Sequence, residues 1–235
     1  MTAQTELQPA EVHIWLHPLT AGIAEDASGQ AWLEATEQAQ AARLRDDCAR
    51  ATYLSTRSRL RMLLAGYLGQ HPADLRFVLN AYGKPRLAGT AEHEGLVFNL
   101  SHTRRFAVLA FALDTALGVD IEMMRPRRNL EGLARFCLAA DELAEWLTVP
   151  EGQHLADFTR RWTAKEAFAK AVGRGLAAGV RAIVPDLTEG SYRAVPMDYG
   201  PAHDWQLQQW RHQDCQAALA YRGVRRRVRL FGVEN

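Results

Sequence analysis

Gly118-Val119-Asp120-Ile121-Glu122 is the stretch from which the fold is read. β-Branched Val119 and Ile121 alternate with Asp120 and Glu122, and residues two apart on a strand share a face, so the two carboxylates point the same way. A solvated edge strand carries the same acidic pattern. The pair gains meaning from a second stretch, Trp162-Thr163-Ala164-Lys165-Glu166-Ala167-Phe168-Ala169-Lys170. It lies within residues 155–172, which lack Gly and Pro and are rich in Ala, Phe and Lys. That composition suits a helix, on which positions four apart are neighbours, so Trp162, Glu166 and Lys170 fall along one flank.

Working outward, Val12, Ile14 and Leu16 are spaced as in a first strand, and residues 31–68 read as one or two helices rich in Ala, Arg and Leu, closed by Gly69. Residues 75–79, 96–100 and 106–113 read as strands, separated by the turn formers Tyr82-Gly83-Lys84-Pro85 and by residues 101–105. Pro126, among Arg125, Arg127 and Arg128, breaks the pattern and marks the junction between residues 1–124 and 125–235. Helices resume at 130–136, 141–147 and 155–172, and strand-like runs return at 205–210, 216–221 and 228–231. Helices followed by strands thus occur twice. The reading is α+β, as two similar α+β halves with a ligand cleft between them, against the alternative of one irregular α+β domain.

The chain has 235 residues, 48% of them hydrophobic, enough for a core without staples. A formal net charge of +1 gives no global field for nucleic acid or an anionic membrane, so an electrostatic partner must be met by a local patch. Cys48, Cys137 and Cys215 are scattered and show no C-x-x-C spacing, which argues against structural zinc and for idle thiols in a reducing compartment. No apolar run approaches the ~20 residues that span a bilayer, and residues 1–11 lack the pattern of a signal peptide. A cytoplasmic protein with no membrane contact is expected.

The two stretches together suggest a metal site. Oxygen donors without His or Cys favour Mg²⁺, which commonly takes a few carboxylates together with substrate phosphates. Three carboxylates and a pyrophosphate exceed the charge of one such ion, so cations are needed beside it, and Lys165 and Lys170 can supply them. On a helical wheel Lys165 falls inside the apolar arc of Leu155, Phe158, Trp162, Ala169 and Val172, so it should snorkel out or meet a carboxylate. Lys84 offers a cation on a rigid turn, equally suited to phosphate or to solvent. Ser101 and His102 are adjacent and point to opposite sides of an extended chain, which argues against a serine hydrolase.

These motifs resemble those of the 4′-phosphopantetheinyl transferases of the surfactin-synthetase-activating type. The resemblance runs from about Tyr53 to Leu176 and takes in Arg57, Tyr82-Gly83-Lys84-Pro85, Phe98-Asn99-Leu100-Ser101-His102, Gly118-Val119-Asp120-Ile121-Glu122 and Trp162-Thr163-Ala164-Lys165-Glu166-Ala167 with Lys170 and Gly173. It implies halves related by a pseudo-twofold, coenzyme A in the cleft, and transfer of its phosphopantetheine arm to a serine of an apo acyl or peptidyl carrier protein, releasing 3′,5′-ADP. On this reading Asp120, Glu122 and Glu166 hold Mg²⁺. Arg57, Lys84, Pro85, Ser101, His102 and Lys170 contact coenzyme A, with His102 at its 3′-phosphate. Glu166 is the implied general base, or else a water at the metal takes the proton, and Lys165 and Lys170 assist. The protein is expected to act as a monomer. Arg43, Arg45 and Arg50 stand for upstream basic residues without a fixed spacing, and the region after Gly179 carries little motif.

Two rival classes remain at this stage. A metal-dependent nuclease also uses carboxylates with lysine, although the acidic-x-Lys ending common there is absent, Met124 standing two residues after Glu122. A nucleic-acid binding module would use Arg225, Arg226 and Arg227 and would bind with a steep dependence on salt.

Overall fold

The structure, a computed structural model, describes residues 6–19, 27–88 and 95–232. Its elements run β1 (Glu11–Pro18), α1 (Ala27–Gln30), α2 (Ala35–Arg43), α3 (Asp47–Leu68), β2 (Phe77–Leu79), β3 (Pro85–Leu87), β4 (Leu96–His102), β5 (Phe106–Leu113) and β6 (Leu117–Met123). After these come α4 (Leu130–Cys137), α5 (Ala140–Thr148), α6 (His154–Val172), β7 (Val184–Asp186), β8 (Ser191–Ala194), β9 (Trp205–His212), β10 (Cys215–Arg222) and β11 (Arg227–Phe231). Residues 31–68 thus hold two helices, parted at Leu44. The mixed helix and sheet composition is that of an α+β protein.

One sheet has the order β11-β1-β5-β4, a second β6-β10-β9-β8-β7, and β2 pairs with β3 alone. β6 is hydrogen-bonded in the sheet of later strands, whereas β11 returns to lie parallel to β1. The two larger sheets share one apolar interior. Val12, Ile14, Leu16, Val108 and Ala110 on one side join Leu117, Val119, Ile121, Ala217 and Leu219 on the other. Each outer face is covered by a long helix. Leu60, Leu63 and Leu64 of α3 pack on Phe98, Leu109 and Phe111, while Ala164, Ala167, Phe168 and Ala171 of α6 pack on Leu207, Ala218 and Ala220.

The alternation in β6 follows from these layers. Val119 and Ile121 enter the interior between the sheets, which turns Asp120 and Glu122 toward α6. Gly118 lets α6 come close, because a Cβ there would overlap the Ala167 carbonyl and the Ala171 amide. α6 ends at Gly173, whose φ of 73° is open to glycine at little cost. Among the described residues no helix is long and apolar enough to cross a membrane. All three cysteines are free thiols.

Candidate active site

Strand β6, helix α6 and the end of β4 converge on Asp120, which is 4% exposed. Its Oδ1 accepts hydrogen bonds from Ser101 Oγ at 2.8 Å and from Lys170 Nζ at 2.6 Å, and Lys170 Nζ also lies 2.7 Å from Ser101 Oγ. Its Oδ2 is buried with no hydrogen-bond partner. β4 is held against β6 by Asn99, whose side-chain oxygen accepts from the Val119 amide at 2.9 Å. Sequence reasoning set Asn99 within a motif without seeing this link.

Glu122 is half-buried and accepts from Trp162 Nε1 at 3.3 Å, with the Arg127 guanidinium 3.7 Å from its other oxygen. Burial, with the Asp120 charge behind it, pushes its carboxyl above the usual range. Glu166 is moved further, up to about 7, by burial and then by the Asp120 and Glu122 charges, against the opposing Lys170 ammonium. Asp120, Glu122 and Glu166 therefore share one field, as the two sequence stretches predict.

Among the described residues no three acidic, imidazole or thiol side chains stand close enough to hold an ion as they are. The donor set nevertheless fits a hard cation. It is all oxygen, one buried carboxylate oxygen is unpartnered, and two of the carboxyls are destabilised as anions, by burial first and then by the Asp120 charge. Lys170 partly fills the cation's electrostatic place at Asp120.

Beside this cluster opens a cavity of about 480 Å³. Its wall is made by the start of α3 (Asp46, Cys48, Ala49, Thr52), the β4–β5 turn (His102, Thr103, Arg104) and the end of β6 (Glu122, Met123, Arg125). The wall thus carries His102, Arg104 and Arg125 together with the carboxyl groups of Asp46 and Glu122. Its packed surroundings, and next the Lys170 ammonium, hold His102 below the ordinary imidazole value.

Two lysines expected at the site are engaged elsewhere. Lys165 is fully buried, and its Nζ donates to Glu142 Oε2 at 2.6 Å, to the Val180 carbonyl at 3.1 Å and to the Ile183 carbonyl. It meets a carboxylate, as its apolar setting requires, but on α5 and away from Asp120. Lys84 is half-buried and bonded to the main chain. Its Nζ donates to the carbonyls of Leu117 and Ala171, each at 2.9 Å, at the end of β6 opposite the cavity. Burial lowers it to about 8. Pro85 opens β3 in the same hairpin, which is tied to α6 again by Asn80 Nδ2 donating to the Gly173 carbonyl at 2.8 Å. Arg57 on α3 is half-buried, with Nε 3.8 Å from Glu37 and its guanidinium 5.5 Å from the centre of the Tyr53 ring.

A family model for the 4′-phosphopantetheinyl transferase superfamily matches residues 116–221, from the start of β6 through β10. The 4′-phosphopantetheinyl transferase HetI of Nostoc is 36% identical over 167 residues, covering 71% of this chain and 70% of that protein. The chain belongs to the 4′-phosphopantetheinyl transferase superfamily. A putative member from Synechocystis is 30% identical, covering 83% of this chain and 77% of its own. The transferase ffp of Bacillus subtilis is 34% identical over 44% of each chain. As a phosphopantetheinyl transferase, the protein is an enzyme that moves the phosphopantetheine moiety of coenzyme A to carrier proteins. The matched segment includes Asp120, Glu122, Glu166 and Lys170, whereas Ser101 and His102 lie ahead of it.

Proposed function

We propose that the transferase is Mg²⁺-dependent, of the surfactin-synthetase-activating type, and releases 3′,5′-ADP as it loads a serine of an apo acyl or peptidyl carrier protein. The observation that carries this reading is the buried Asp120 with one oxygen on Lys170 and the other unpartnered, beside a Glu166 carboxyl raised to about 7. Asp120, Glu122 and Glu166 would hold Mg²⁺, which supplies positive charge to the pyrophosphate of coenzyme A.

The chain's own groups account for the rest. Lys170 brings an ammonium to the phosphates, fixed by Asp120 and Ser101. His102, with Arg104 and Arg125, lines the cavity for the nucleotide end. Glu166, or else a water at the metal, would take the proton of the carrier serine. The serine oxygen then bonds to the phosphorus that bears the pantetheine arm, the bond from that phosphorus to the bridging oxygen breaks, and 3′,5′-ADP departs with the bridging oxygen. Positioning and charge neutralisation carry the acceleration, as is general in phosphoryl transfer.

Two halves related by a pseudo-twofold are proposed, with the correction that they do not part cleanly at residue 124, since β6 pairs in the sheet of later strands and β11 in that of β1. The order β1-β5-β4 in one sheet and β6-β10-β9 in the other supports this, as does the packing of one long helix on each. We also take the protein to be a cytoplasmic monomer without a nucleic-acid partner.

The test is to incubate an apo carrier with the enzyme, coenzyme A and Mg²⁺ and to weigh the carrier by mass spectrometry. A gain of one phosphopantetheine arm, lost when Mg²⁺ is chelated, is expected. No gain across carriers of fatty-acid, polyketide and peptide synthesis, or cutting of DNA instead, would overturn the reading.

A further inference from the structure

The second half contains a buried cation that the chemistry does not use, and the first half contains its counterpart. Lys165 on α6 pairs with Glu142 at 2.6 Å, and Arg61 on α3 pairs with Glu37 at 2.7 Å. Both cations are fully buried. Both glutamates occupy the third position of the preceding helix and accept there from a backbone amide, that of Ala139 for Glu142 and that of Glu34 for Glu37. Each cation donates to two carbonyls of the turn that follows its own helix. For Arg61 these are Pro72 and Leu75, at 2.8 and 3.0 Å, and for Lys165 they are Val180 and Ile183. Each also stands equally far ahead of the left-handed glycine that ends its helix, Gly69 or Gly173.

The first-half copy separates architecture from chemistry. Where Glu166 and Lys170 follow Lys165, Met62 and Gly66 stand at the same offsets from Arg61. Neither of those can move a proton or bind a phosphate by its side chain. The device therefore exists without a reaction to serve, and its work is to fix a long helix against the helix before it and the turn after it. In the second half this sets the rotation of α6. Successive helical residues are turned by about 100°, so a side chain locked toward α5 directs the next residue to another face. Trp162, Glu166 and Lys170 lie on that face, toward β6, with Trp162 and Lys170 bonded to Glu122 and Asp120.

We propose that Lys165 is a positioning residue of the transferase. Clamped by Glu142 and the carbonyls of Val180 and Ile183, it sets the roll of α6 that presents Glu166 and Lys170 to Asp120, and it does not touch coenzyme A. This rests on the reading that Glu166 and Lys170 act on coenzyme A. Breaking the clamp from one side leaves a buried charge without its partner, whereas replacing both members with apolar side chains leaves none.

The experiment compares Lys165→Met, the double variant Lys165→Met/Glu142→Met, and Glu166→Gln in steady-state transfer to an apo carrier. Lys165→Met is expected to lower kcat about 100-fold and to change KM for coenzyme A less than about twofold. The double variant is expected to recover kcat to within about tenfold of wild type. A double variant as inactive as the single one, with KM for coenzyme A raised in both, would show the ammonium on the substrate and overturn the proposal. So would a Lys165→Met enzyme of normal turnover. Should the single variant not fold, the double one decides: a folded double variant with turnover within about tenfold of wild type supports the clamp, and a folded double variant without turnover overturns it. Normal turnover in Glu166→Gln alone would remove the base assignment and leave the clamp standing.

Discussion

Lys170 Nζ lies 2.6 Å from Asp120 Oδ1, joining the last turn of α6 to the acidic face of β6. The two sequence stretches meet in this contact, and it leaves the second Asp120 oxygen buried and unbonded. The cluster is thus short of positive charge in one defined place.

Asp120→Asn is expected to lower transfer by about a thousandfold, the scale seen when a preorganised electrostatic partner is lost. Unfolding in urea should move by less than about 2 kcal/mol, since the amide keeps the size and part of the bonding. Because Asp120 is one cause of the raised Glu166 carboxyl, that carboxyl should titrate below about 7 in the variant, as followed by carbon NMR.

The pH dependence of stability has a defined sign at Glu166. Its folded value, about 7, lies above the ordinary 4.5, so the folded protein keeps a proton that the unfolded chain releases. Its contribution to stability is present at low pH, falls as pH rises between those values, and is flat above. In metal-free protein, the difference in urea midpoint between Glu166→Gln and wild type should therefore grow in favour of the variant across that window.

Mg²⁺ offers a readout that does not depend on turnover. Titrating it at pH 7.5 should raise the melting temperature of wild type, because an ion that binds only the folded state stabilises it. Glu166→Gln and Asp120→Asn should respond far less. An equal rise in all three would place the ion elsewhere.

Gly118→Ala tests the close approach of α6 to β6. The added methyl meets the Ala167 carbonyl and the Ala171 amide, both backbone, so the helix itself must shift. A loss of about 1–3 kcal/mol in urea unfolding is expected, the usual cost of overpacking, together with a fall in kcat. Ala at this position with full activity would contradict the tight packing.

Lys84→Met should act on stability and not on coenzyme A. It leaves the Leu117 and Ala171 carbonyls without their donor, a loss of about 1–3 kcal/mol in denaturant unfolding. KM for coenzyme A is expected to stay close to wild type. A severalfold rise with unchanged stability would return Lys84 to the substrate.

Much of this was legible in the chain. Alternation and composition located β5, β6 and α6, because these elements bury long periodic apolar runs. β3, β7 and β8 were not found, being too short to display a period. The carboxylate trio could be read because a strand and a helix each fix which residues share a face. The destinations of Lys165 and Lys84 could not. Local pattern shows that Lys165 needs a partner, but Glu142 becomes that partner only when α5 packs on α6, and Lys84 reaches its carbonyls only when the hairpin docks.

The pairing of Glu11 with Arg227 has a bearing on biogenesis. β1 leaves the ribosome early, yet one of its flanks stays open until β11, the last described strand, has been synthesised. A nascent chain stalled before that point would carry an unsealed edge suited to foreign strands. Trimming β11 should therefore show itself first as aggregation during expression, before any defect in carrier loading could be measured.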